Sequence, residues 1–240
     1  MTPLEKAGFV AHARLPVFRR RVESSLSVIA EALALGPSYV ACSWGKDSVA
    51  MLHLVQSVSP MTPAVFFGDP DQDMIDDYAG VSSGYMERFP TVYEELNPGG
   101  DRVPHKLAAS RIWQRYRVAF VGVREEECNS RRMDLIRHGE IHQYTAGARA
   151  GSYRVWPLGK WSWKDVWGYI CLHDLPYLPS YDAKMADDKR FSRTCNVMPK
   201  FMKDGPKGAN MGRIHRLRAR NPAYYNYLCQ NFPEIAFLGS

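Results

Sequence analysis

The ten residues 39–48, YVACSWGKDS, constrain the fold more than any other stretch. A short apolar run suited to a buried strand stops at Ser43-Trp44-Gly45-Lys46-Asp47-Ser48, and a helical pattern, DSVAMLHLVQSV, begins just beyond Gly45. A strand, a glycine-containing turn and a helix start in that order predict a βα unit with a ligand-facing loop. In open α/β sheets, ligands bind at the carboxyl ends of the strands. A helix N-terminus offers unpaired N–H groups and a partial positive charge. Gly45 permits close backbone approach, Lys46 adds a point charge, and Ser43 and Ser48 add hydroxyl donors. These residue types suit a pyrophosphate. Neither familiar phosphate fingerprint is present. Walker A needs glycine where Val40 stands and Ser or Thr where Asp47 stands, and G-x-G-x-x-G is absent.

The rest of the chain alternates in the same way. A helix is expected over 15–35, with Val22, Leu26, Ile29, Ala30 and Leu33 on one stripe, ended by Gly36-Pro37. Further strands are expected at AVFFGD (64–69), TVYEEL, RVAFVGVR (117–124) and YRVWPL, with helices at HKLAASRIWQRY and WSWKDVWGYICLHD, the latter placing Val166, Tyr169 and Ile170 on one face. This alternation predicts a Rossmann-like α/β fold: a parallel sheet of about five strands with helices on both faces. The expected organisation is one domain, with an N-terminal helical segment (1–37), a nucleotide-binding core (38–183) and a basic, helical C-terminal segment (184–240).

Charge is concentrated. The net charge is +6, but residues 184–220 alone hold eleven Lys or Arg against three Asp. That segment reads as a solvated surface or as a face for a polyanion. Five scattered cysteines without a C-x-x-C pair argue against a disulfide framework and a zinc or iron–sulfur site of ordinary spacing, and read as reduced thiols. The histidines lack metal spacing, and no metal site is expected among them. No stretch has the ~18 apolar residues of a membrane span, so a soluble, cytoplasmic protein is expected, with no membrane partner. Asp69, Asp71 and Asp73 alternate like a calcium loop, but Met74 and Gly80 stand where glycine and glutamate are required. Trp156, Trp161, Trp163 and Trp167 read mainly as helix-on-sheet packing.

Ser43-Trp44-Gly45-Lys46-Asp47-Ser48 resembles the S-G-G-K-D-S loop of the N-type (PP-loop) ATP pyrophosphatases, and more closely their phosphoadenosine phosphosulfate (PAPS) reductase-like branch. Three later stretches are similar to that branch in the same order. VFFGDPDQD matches its second strand and D-T-G turn, with Asp69 at the aspartate. GVREEECNSRR matches its G-x-R-x-x-E-S-x-x-R element. PLGKWSWKDVWGYICLHDLPYLPSYD matches its tryptophan-rich stretch.

The resemblance implies ATP binding with magnesium and cleavage between the α and β phosphates, releasing pyrophosphate. It gives Lys46 and the backbone of residues 44–48 the β and γ phosphates, Ser43 and Ser48 hydrogen bonds, Asp47 the orientation of the loop or a magnesium ion, and Arg124 and Arg131 the neutralisation of phosphate charge. Asp69 reads first as part of an acidic helix N-terminus, and alternatively takes a weak magnesium role beside the phosphates. Trp44 replaces the usual glycine, its ring either closing over the phosphates or packing away. The E-C-G-L-H tail of the reductases is absent, and Met198 stands where the adenylylsulfate-reducing relatives have the second of a cysteine pair after Cys195. The leading expectation is therefore an ATP pyrophosphatase that activates an acceptor for sulfur insertion, as in DNA phosphorothioation systems. A cysteine desulfurase or another sulfur donor would be its partner. Arg213, Arg216, Arg218 and Arg220 are the expected nucleic-acid contacts, with DNA favoured over RNA. Cys128 stands where the family motif has serine. It reads as a candidate sulfur carrier beside Arg124 and Arg131, or as a buried inert thiol. Two alternatives remain: a sulfonucleotide reductase using an external thiol donor, and a non-catalytic nucleotide-binding subunit.

Overall fold

The computed structural model describes residues 1–67, 78–96, 111–182, 218 and 222–231. Apolar residues of the described strands meet in one six-stranded sheet of order β3-β2-β1-β4-β6-β5. The strands are β1 (Ser38–Ala41), β2 (Ala64–Phe67), β3 (Tyr93–Leu96), β4 (Val118–Val121), β5 (Ile141–Gln143) and β6 (Tyr153–Val155). Five run parallel, as expected. The sixth, β5, pairs antiparallel with β6 at the edge, Ile141 opposite Val155. In β1 and β4, Val40, Val118 and Phe120 are fully buried on one face, while Ala41, Ala119 and Val121 on the other are half-buried.

The chain begins with two helices, not one. In α1 (Pro3–Ala13), Thr2 caps the N-terminus and Glu5 reaches back to the Thr2 N–H at 2.8 Å, a capping box. In α2 (Pro16–Leu33) the buried residues are Phe18, Ser25, Ile29 and Ala32. Ala30, expected on that stripe, is exposed. Ser25 takes a core position because its hydroxyl is satisfied there: it donates to the Pro157 carbonyl at 2.6 Å and accepts from Trp161 Nε1 at 2.8 Å. Next come α3 (Lys46–Val58) and α4 (Tyr78–Arg88), a helical stretch at 111–115, α5 (Asn129–His138) and α6 (Trp163–Leu172).

Helix α6 buries Val166, Tyr169 and Ile170 as its pattern predicts. It packs against α1, where Gly168 lets the chains approach closely: a Cβ there would lie 3.3 Å from the Phe9 carbonyl oxygen. Phe9 stacks on Trp167 with ring centroids 6.0 Å apart and meets Trp163 edge-on at 5.9 Å. Trp156, Trp161 and Trp167 are buried, so the tryptophan cluster is core packing. Asp165, fully buried, links three helices. It closes the Ser162 cap of α6, contacts His12 Nε2 of α1 at 2.8 Å and pairs with Arg21 of α2. Burial raises its pKa, but the Ser162 and His12 hydrogen bonds and the Arg21 charge outweigh this and hold it below the ordinary value.

The described residues from Thr2 to Leu178 form one compact unit. Those from Pro179 onward belong to a second, whose helix α7 (Pro222–Asn231) carries Cys229 and a buried Tyr225. None of the described helices is long and apolar enough to cross a membrane.

Candidate functional site

The predicted loop lies at the carboxyl end of β1, and Gly45 is the N-cap of α3. No side chain caps that helix. Ser48 instead shapes the turn: its hydroxyl donates to the Gly45 carbonyl at 2.9 Å and accepts from the Ser43 N–H at 3.2 Å, with Ser43 Oγ 3.3 Å away. The two serines therefore hold the loop together.

Trp44 has φ of 56°, the left-handed region that ordinarily selects glycine. This explains the glycine of the related loops, and it shows which way the ring goes. Trp44 is buried between Tyr85 and Tyr93, with centroids 6.0 and 5.6 Å away. Its Nε1 has no hydrogen-bond partner among the described residues. The ring packs into the core beneath the loop and does not close over it.

Lys46 and Arg124, expected to face phosphates, are 3% and 1% exposed. Asp47 sits between them, its Oδ2 paired with Lys46 and its Oδ1 accepting from Arg124 Nε at 2.6 Å. Arg124 Nη1 also reaches Glu126 at 2.9 Å, Glu126 accepts from the Trp163 N–H at 2.7 Å, and Arg131 pairs with Glu127. Burial pushes the Asp47 carboxyl up, but Lys46 and Arg124 overcome it and hold the group well below the usual carboxylate range. Lys46 is thus a buried ion-pair partner and not a free point charge at the loop surface.

Sequence reasoning missed the glutamates at 126 and 127 as partners of the arginines, although three consecutive acids in an arginine-rich element were the signal. It also missed Gly122. A Cβ there would stand 2.9 Å from both the carbonyl carbon and the oxygen of Asp47, so only glycine lets the end of β4 touch the start of α3.

Cys128 is exposed and precedes α5, which corrects the reading of a buried thiol. Cys42 is buried, and burial pushes its thiol up to about 12. Asp69, Arg213, Arg216 and Arg220 lie outside the described residues. Arg218 is exposed, its guanidinium 5.7 Å over the Tyr225 ring. Among the described residues no group of three His, Cys, Asp or Glu is placed to hold a metal ion.

A mostly parallel sheet with a Ser-x-Gly-Lys-Asp-Ser turn at the end of its first strand is the arrangement that the resemblance to the PP-loop class implies. The family model of the phosphoadenosine phosphosulfate reductase domain matches residues 100–212, which include Gly122, Arg124 and Arg131 but not the 43–48 loop. Over 171 residues the chain is 28% identical to adenosine 5'-phosphosulfate reductase of Bacillus mycoides, covering 60% of this chain and 67% of that protein. The reductase of Bacillus cytotoxicus is 27% identical over 165 residues, with the same shares. The chain thus spans about two thirds of the length of these relatives. Among solved structures, Candida glabrata FMN adenylyltransferase in complex with FMN and the ATP analogue AMPCPP matches 81% of this chain and 71% of its own, with a TM-score of 0.58 and 14% identity. That likeness speaks for the fold. The resemblance drawn from the sequence is borne out: the chain carries a match to the PAPS reductase domain over residues 100–212 and is similar to adenosine 5'-phosphosulfate reductases.

Proposed function

We propose that the protein is an ATP pyrophosphatase that cleaves ATP to AMP and pyrophosphate, activating an acceptor for sulfur insertion. The acceptor proposed is nucleic acid, DNA rather than RNA, with a cysteine desulfurase or another sulfur-donor protein as partner. The observation that carries this reading is the meeting of Lys46, Arg124 and the open N-terminus of α3 at the ends of β1 and β4. A departing pyrophosphate gains charge, and preorganised cations and N–H donors stabilise that charge. Asp47 holds both cations in position, and the incoming phosphates would compete with its carboxylate for them. Magnesium would arrive with the nucleotide, since phosphate oxygens supply ligands that the described side chains do not. It would neutralise phosphate charge there.

The second reading is a sulfonucleotide reductase, favoured by the relatives named adenosine 5'-phosphosulfate reductase. One experiment separates the two. The full chain is incubated with α-labelled ATP and magnesium, with and without DNA or RNA, and in parallel with adenosine phosphosulfate and a thiol donor. AMP plus pyrophosphate supports the first reading; sulfite release without ATP cleavage supports the second and overturns the first.

A further inference from the structure

Residues of β1 and β4 alternate between the sheet faces. Tyr39, Ala41, Ala119 and Val121 share one face, and there a pocket of about 290 Å³ opens. Ala41 and Ala119 leave depth at its floor. Four further rings border it, from Trp113, Tyr116, Tyr144 and Tyr153. Three cations also line it, Arg117, Arg149 and Arg154, and no carboxylate does.

These arginines are held in place. Arg149 lies 3.7 Å over the Trp113 ring and donates from Nη1 to the Tyr144 hydroxyl at 3.0 Å. Arg117 donates from Nε to the Gly151 carbonyl at 3.1 Å. Arg154 donates from Nη2 to Asp134 at 2.7 Å, while its buried Nε has no partner among the described residues.

A pocket walled by aromatic rings and lined by three guanidinium groups, of which only Arg154 is paired with a carboxylate among the described residues, selects a planar, anionic ligand. Aromatic faces stack on any base, and guanidinium groups take phosphate. The volume lies at the lower end of ligand pockets, which run ~300–1,000 Å³ and so admit one nucleotide. A base inside a duplex cannot offer its face to such walls. Ala41 and Val121 end the two strands that lead into the 43–48 loop and the Arg124 turn, so the pocket extends toward the phosphate-loop end of the sheet.

We propose that this pocket receives one nucleotide of a single-stranded nucleic acid, its base against the aromatic wall and its phosphate on Arg117 and Arg149. This rests on the reading that the acceptor is nucleic acid. The test measures anisotropy of a labelled short oligothymidylate on the full chain across a salt series, for the wild type, Arg117→Gln and Arg117→Gln/Arg149→Gln. ATP binding and the thermal midpoint serve as controls for folding. The double variant is expected to bind ~10-fold more weakly, with a salt slope smaller by ~0.7 for each phosphate no longer neutralised, and to keep its ATP affinity. The exposed Arg117→Gln alone is expected to show part of the weakening. Unchanged oligonucleotide affinity in the double variant overturns the pocket while leaving the acceptor reading intact. No strand binding by the wild type overturns both. Displacement of the strand by AMP, with the loop saturated by an ATP analogue, reassigns the pocket to free nucleotides and overturns the strand proposal.

Discussion

Asp47 Oδ1 accepts a hydrogen bond from Arg124 Nε at 2.6 Å, joining the turn after β1 to the turn after β4. Both groups lie within a network that includes Lys46, Glu126, Glu127 and Arg131. Removing one member of a buried network leaves the others uncompensated. Asp47→Asn should therefore cost about 3 kcal/mol of stability, read as a lower denaturation midpoint in urea. A change below about 0.5 kcal/mol would show that Lys46 and Arg124 find water or the glutamates instead.

Lys46→Met preserves side-chain volume in a buried position while removing the charge. Nucleotide affinity should fall about 100-fold by calorimetry, since the variant has no ammonium to donate charge-assisted hydrogen bonds to phosphate. Lys46→Ala should lose stability as well, because it empties a packed site, so the methionine variant is the cleaner probe of binding.

Gly122→Ala places a methyl group where the Asp47 carbonyl already stands. Backbone must move, and the expected outcome is a destabilisation of about 1–3 kcal/mol together with failure to bind nucleotide. Gly84→Ala is the matched control, since a Cβ there meets nothing within 4 Å.

Trp44 sets core burial against its left-handed backbone. Trp44→Ala should cost about 3–5 kcal/mol through the cavity. Trp44→Gly removes the same ring but relieves the backbone, and should be less destabilised than the alanine variant by about 1 kcal/mol. That inverts the usual order of Ala and Gly, and equilibrium unfolding of the pair measures it.

His53 contacts the Tyr169 hydroxyl at 2.9 Å. Burial, aided by repulsion from His173 and Arg88, lowers its pKa to about 4. The unfolded chain binds a proton near pH 6.5 that the folded chain refuses until about 4, so stability is full above 6.5 and falls as pH drops through that window. His173, also lowered by burial, acts in the same direction. A decrease on the order of 2 kcal/mol between pH 6.5 and 4 is expected, and His53→Gln should flatten it. Asp47 and Asp165, both lowered, lose their contribution only at more acidic pH.

The loop after β1 was legible because its chemistry is written in consecutive residues, and β4 and α6 because their apolar patterns are regular. β5 was not, since three residues, Ile141–Gln143, carry no readable period and take their strand form from pairing with β6. The burial of Lys46 and Arg124 was invisible for a different reason. Arg124 comes from the turn after the neighbouring strand β4, and nothing in SWGKDS reveals that an arginine 77 positions away will share Asp47 with Lys46. The aromatic pocket is likewise assembled from three separate stretches of the chain, 39–41, 113–121 and 144–154.

Asp165 meets His12 across 153 positions of sequence and Arg21 across 144. On a ribosome, α1 and α2 are made well before the helix whose Asp165 they meet. Until α6 has emerged, Phe9 and the exposed flank of α1 have no docking surface, although β1 through β4 are already synthesised. Such distant closure is slow because the loop entropy must be met before the contact rewards it. The phosphate loop can therefore take shape while α1 still waits, which leaves the apolar flank of α1 around Phe9 open to capture by chaperones in a nascent chain.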